Sequence, residues 1–196
     1  LPEGTEPDAV RTIFDQLLDA CGALGVSLVG GHTEVTYDLT RPVAVGAMLG
    51  EVAKEDVVLT SGARPGDAIV LTKGIAIEGT AILAREASEK LEQSGVATDI
   101  IDSAKGLLFE PGISVVRDAT VARDAVEVHS MHDPTEGGLA TALREVAEAA
   151  GVGVIVEDDQ VPIVPECQVI CRALGLDPLG LIASGALLVT VSPDDA

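Results

Sequence analysis

Short apolar runs that stop on glycine or proline alternate along this chain with longer segments of helical period, and that alternation most constrains its fold. Helical segments run from Pro7 to about Gly25, from Ile77 to Gln93, over "EPGISVVRDATVARDA" with Pro111 in its first turn, over "TEGGLATALREVAEAAG" up to Gly151, and over "PECQVICRALG". The apolar runs are "VSLVGG", "PVAVGAMLGEV", two arms of "DVVLTSGARPGDAIVLT" around a turn at Ala63–Asp67, "VEVHSMHD", "GVGVIVED" and "GALLVTV". The first four strands follow one another with little helix between them. That order predicts an α/β mixed (α+β) fold, a mixed β-sheet with helices packed mainly on one face. With one Tyr, two Phe and no Trp in 196 residues, the core must be built from Val, Ile, Leu and Ala.

A boundary is expected near Gly50–Lys54, separating residues 1–50 from residues 51–196. The first part makes too little structure to close a core alone, and the first residue is Leu rather than Met. Residues 1–50 are therefore read as the tail of a truncated N-terminal domain. Its strands Val26–Gly30 and Val43–Gly50 would have open edges that pair across a two-fold in a dimer or stay poorly ordered.

The net charge of -20 opposes binding to nucleic acid or an anionic membrane, since both would repel it. Phosphates would need a metal ion or backbone N–H groups. The acidity equally suits solubility or a salty cytoplasm. No apolar run approaches a membrane span and no signal peptide leads the chain, so a cytoplasmic protein is expected. Cys21, Cys167 and Cys171 form no CxxC pair and read as core thiols of a reducing compartment.

Two stretches carry candidate chemistry. In "HSMHDPTEGG", Asp133 leaves a strand, Pro134 sets the turn, Thr135 can cap the helix through its hydroxyl, and Gly137 and Gly138 admit another backbone or a ligand. A phosphate at that helix start would need a divalent cation between it and Asp133, which suits Mg²⁺. The same residues equally make a plain capped helix. In "LVGGHTEVT", a strand ends on Gly30–Gly31 and delivers His32, Thr33 and Glu34 into a loop whose N–H groups can face phosphate oxygens; a surface turn explains it as well. Lys73 of "LTKGIAIEGTAIL" either neutralises a phosphate or is solvated. His129 reads as structural, and His132 as the edge of a site. No GxxxxGK[ST], no GxGxxG after the first strand and no nucleophile elbow occur.

Taken in order, "GGHTEVT", "RPGDAIVLTKGI…EGTAILA", "HDPTEGGLATAL" and "LDPLGLIASGALLVTV" resemble the PurM-like superfamily. That group comprises aminoimidazole ribonucleotide synthetase, selenophosphate synthetase, thiamine monophosphate kinase and the hydrogenase-maturation ATPase, and the last, or a synthetase-related relative of it, is nearest in style. The resemblance implies an ATP- and Mg²⁺-dependent enzyme, usually a homodimer, that activates a substrate oxygen by phosphoryl transfer. The second substrate is an unidentified small molecule or protein. It implies that Asp133 helps hold the metal and that Gly30, Gly31, His32 and Thr33, with Gly137 and Gly138, meet the nucleotide. Residues 1–50 would end the ATP-binding domain, and 51–196 would form the C-terminal domain. Two departures qualify this. The acidic metal motif that the family carries upstream of the glycine pair is not in these residues, and the chain ends "SPDDA" rather than in a cysteine-bearing tail. A fragment inactive by itself, or a non-catalytic binding or assembly module that keeps the fold, is the alternative.

Overall fold

A computed structural model describes residues 1–196, which divide into two compact units, Leu1–Glu51 and Val52–Ala196. In the first unit, helix α1 (Pro7–Leu24) opens with Pro7, whose missing N–H is no loss there. It closes on Gly25, which turns left-handed (φ 67°) and bonds back to Cys21 and Gly22. The rest of the unit has no helix or strand and is joined by one parallel bridge, Pro2 to Thr36. The expected strands Val26–Gly30 and Val43–Gly50 do not form. A strand is held by a ladder and by an apolar face to cover, and here Val29, Val45 and Leu49 stay more than 90% exposed. No residue of this unit is buried.

The second unit is built on a sheet of three strands, β1 (Ala68–Leu71), β2 (Val128–His132) and β3 (Leu188–Val191), in the order β1-β3-β2. The fold is mixed α/β, but every pairing in this sheet is antiparallel: Ala68 faces Val191, and His132 faces Leu188. Central β3 is buried along its length. On one face Leu188 joins Ile75, Leu139, Val146, Cys167 and Cys171. On the other, Val189 and Val191 meet Ala119 and Ala122 of α5 (Val116–Ala125). Helices α6 (Gly138–Ala150) and α7 (Pro165–Leu174) cover the first face, so the helices gather mainly on one side.

Other expectations need correction. The helix foreseen over Ile77–Gln93 breaks at Ala87 into α2 (Ile77–Glu86) and α3 (Ser88–Gln93). The break turns α3 so that Leu91 packs with Ile101 of α4 (Thr98–Gly106), a helix the sequence left unassigned, and with Ile170. Pro111 does not start a helix. It sits in an irregular turn, Leu108–Gly112, and α5 begins five residues later at Val116. Of the two arms around the turn at Ala63–Asp67, only the second is a strand. The first ends in a 3-10 turn, Thr60–Gly62, that lies against β2 rather than β1, with Thr60 donating to the Met131 carbonyl at 3.3 Å. The strand expected over Gly151–Asp158 does not form: Gly151 caps α6 in the left-handed region, Asp158 begins a 3-10 turn, and the residues between pair with no strand.

Candidate functional site

Where β2 ends, the chain turns through Asp133–Pro134–Thr135–Glu136 into α6. Pro134 is buried while Asp133 and Glu136 are exposed. Thr135 does not cap through its hydroxyl; its carbonyl accepts from the N–H of Gly138 (3.1 Å) and of Ala183 (3.2 Å). The N-cap is Gly137, in the left-handed region at φ 79°. Gly138 also has positive φ, 63°, and a Cβ placed there would lie 2.4 Å from the Leu179 carbonyl and 2.6 Å from that of Leu181. The backbone that the glycine admits is therefore the turn Leu179–Leu181. Asp177 fixes that turn by accepting from the Leu179 N–H at 2.9 Å. His132 sits at the edge of this region, 2.7 Å from Glu145 of α6.

The same segment walls a second helix start. The N–H groups of Glu78 and Gly79 donate to the Ser184 and Ile182 carbonyls (3.3 and 3.1 Å), and a Cβ on Gly79 would meet Leu181 at 2.5 Å. The "EGT", "EGG" and "LGLIASG" motifs thus interlock at one loop, Leu179–Gly185. The first N–H groups of α2 are spent inside the protein and cannot receive an anion. Glu78 Oε2 and Thr80 Oγ1 are buried here without a partner.

Lys73 is neither solvated nor free for a phosphate. Its ammonium donates to the Ser114 (2.8 Å) and Gly112 (3.2 Å) carbonyls and pairs with Asp118 at 3.2 Å, both side chains being 16% exposed. The signal was present in sequence only as a lone lysine, since Asp118 lies on a distant helix.

His129 is structural. Its ring Nδ1 stands 2.9 Å from both Asp67 oxygens, and Nε2 lies 2.9 Å from the Arg64 guanidinium. Arginine only donates, so Nε2 accepts and Nδ1 carries the proton toward Asp67. Burial pushes the Asp67 carboxyl up. The bonds from the Arg64 N–H, His129 and Thr190 outweigh it and hold the group below its ordinary value. This clamp joins the turn before β1 to β2.

Among the cysteines, Cys167 and Cys171 lie 3.8 Å apart within the core. Burial and the neighbouring Cys167 push the Cys171 thiol up to about 12, so it stays protonated and unreactive. No cluster of three or more His, Cys, Asp or Glu side chains stands ready for a metal. Gly30, Gly31, His32 and Thr33 lie in the first unit, all exposed, with His32 3.9 Å from Glu34. Asp133, Gly137 and Gly138 lie together in the second.

Comparison with known proteins decides the family. Residues 64–196 match the model of the AIR synthase related protein, C-terminal domain. The chain belongs to this family. It is 31% identical over 205 residues to the carbamoyl dehydratase HypE of Cupriavidus necator and 32% identical over 201 residues to that of Rhizobium leguminosarum bv. viciae. Both alignments cover all of this chain and 53% of the relative, so the chain spans about half the length of the curated relatives it matches. A crystal structure of the hydrogenase maturation protein HypE in complex with ATP superposes over the whole chain and 56% of its own, with a TM-score of 0.71 and 26% identity. Thiamine monophosphate kinase from Aquifex aeolicus shares the fold, with a TM-score of 0.69, 18% identity, and coverage of 99% of this chain and 63% of its own. No helix of this family member is long and apolar enough to cross a membrane.

Proposed function

We propose that this chain is the C-terminal portion of an ATP- and Mg²⁺-dependent enzyme that activates a substrate oxygen by phosphoryl transfer. The observation that carries the reading is its similarity, over every residue, to a maturation protein crystallised with ATP. The residues at hand fit a magnesium–nucleotide in one respect: Asp133 is an exposed carboxylate at a strand end, directly before a helix start. Mg²⁺ takes few carboxylates and keeps waters and phosphate oxygens, so a single acid here suffices if the nucleotide and another part of the protein supply the rest. When bound, the pair would supply an activated phosphoryl group. Asp133 would orient the metal, and the exposed Gly30–Thr33 loop, meeting a nucleotide across the dimer, would offer N–H groups to phosphate oxygens, so that catalysis rests on positioning and charge neutralisation. A homodimer in the cytoplasm is the expected working form.

The test is calorimetric titration of ATP, with and without Mg²⁺, into the protein carrying its complete natural sequence. Asp133→Asn should weaken magnesium-dependent binding by about tenfold or more, the loss of one charged ligand, and leave metal-free binding nearly unchanged. Absence of ATP binding in both forms would sink the enzymatic reading in favour of an assembly module. Residues 1–196 alone are expected to have negligible ATPase activity.

A further inference from the structure

A cavity of about 690 Å³ lies between the end of β1, the irregular turn Leu108–Gly112 and one face of α5. Its walls are tied together by Lys73, whose ammonium holds the Gly112 and Ser114 carbonyls and the Asp118 carboxylate. An ammonium has only as many donors as these acceptors use, so Lys73 is saturated and its charge is cancelled by Asp118. The cluster fixes the turn against the helix, and the cavity is formed in advance of any ligand, as small-molecule sites usually are.

Two further charges line the cavity, and neither is engaged. Glu110 comes from the turn and Arg117 from α5, where Arg117, Asp118 and Val121 share one face at helical spacing. The two are opposite in sign and both exposed, yet they do not pair with each other or with a neighbour: the ion pairs of this region are Lys73–Asp118 and Arg123–Asp124. Pro111 and Val121 add apolar lining, and Val121 is left 58% exposed there.

A free acid and a free guanidinium on separate walls of one cavity match a molecule that carries both charges. A guanidinium receives a carboxylate through two parallel N–H donors, and a carboxylate accepts from an ammonium. The net charge of -20 decides between a zwitterion and a plain anion, because it repels the anion and leaves the zwitterion, neutral in sum, unopposed. We propose that this cavity binds a free α-amino acid with an apolar side chain. Its carboxylate lies on Arg117, its ammonium on Glu110, and its side chain against Pro111 and Val121. The site shares no residue with Asp133 or the Gly30–Thr33 loop, and the proposal does not rest on the nucleotide reading.

Calorimetric titration of L-leucine into the protein carrying its complete natural sequence tests it. Two further probes each lack one of the charges: isocaproate has no ammonium, and L-leucinamide has no carboxylate. Leucine should bind about tenfold or more tightly than either, since each missing charge removes one charge-assisted pair. Arg117→Gln should weaken leucine by a similar factor and leave leucinamide unchanged. Glu110→Gln should weaken leucine and leave isocaproate unchanged. Both side chains are exposed, so neither substitution threatens the fold. Leucine bound no better than isocaproate would make this a site for anions only, and leucine binding that survives both substitutions would place it elsewhere. Either result overturns the proposal, as does the absence of saturable binding of leucine.

Discussion

Two glycine pairs, identical in sequence, have opposite surroundings in this protein. At Gly137–Gly138 both residues hold left-handed backbone, and a Cβ would strike a neighbour at each. At Gly30–Gly31 nothing lies within 4 Å of where a Cβ would sit, and neither has positive φ. The first pair is demanded by packing: Gly138 lets the Leu179–Leu181 turn lie directly on the start of α6. The second pair is demanded by nothing inside its own unit. Its bare backbone is compatible with the contact proposed for that loop. Of the pair that could admit another backbone or a ligand, Gly138 admits backbone, and the exposed pair is the freer candidate for contact.

The contrast can be broken by substitution. Gly138→Ala should have the largest effect, about 3 kcal/mol or more of lost stability, because two rigid carbonyls must move and the φ is unfavourable. Chemical denaturation reads it, and a loss below 1 kcal/mol would show that the turn yields easily. Asp67→Asn comes next, at about 2 kcal/mol near neutral pH, since the amide keeps one acceptor oxygen for the two donors, the Arg64 N–H and His129 Nδ1, that the carboxylate serves. The folded carboxyl lies below its ordinary value of 3.8, so its contribution is present above that value and is lost as pH falls through the lower folded value. Denaturation curves of the two proteins should therefore converge as pH falls below 3.8, and a constant gap would refute the assignment. Gly137→Ala should cost about 1–2 kcal/mol, the usual penalty of a left-handed residue with a side chain, plus adjustment of Thr141. Gly31→Ala should change stability by less than about 0.5 kcal/mol, as surface substitutions do, while weakening magnesium–ATP binding in the complete protein. A stability loss as large as that of Gly138→Ala would erase the distinction between the pairs.

Much of the second unit was legible in the chain because its signals are local. Pro165 and Gly175 bracket α7, Gly151 closes α6, and the apolar run "ALLVTV" and the alternation of "VHSMH" mark β3 and β2. Failures fell where a local signal lacked a partner. "GVGVIV" and "VAVGAMLG" are as strand-like as β3 in composition, but a strand exists only when another strand bonds it. The break at Ala87 and the unforeseen α4 likewise answer to the cluster around Ile101 and Ile170, whose members are far apart in sequence. Within the candidate site, Asp133 was visible as an acid before a helix. The engagement of Lys73 by Asp118 was not, because an ion pair across elements leaves no mark in spacing.

By itself, the sequence determined both ends of α1 and α7 and the end of α6, the aliphatic core, the acidity that disfavours a basic phosphate site, and, through four ordered motifs, the family. Those are set by residue chemistry within a few positions or by order along the chain. Only the tertiary structure decided which glycines are structural, which histidine is clamped, which lysine is spent, and which unpaired charges share a cavity. Each of those depends on a neighbour distant in sequence that arrives within a few ångströms, and such meetings are fixed by packing rather than by any local pattern.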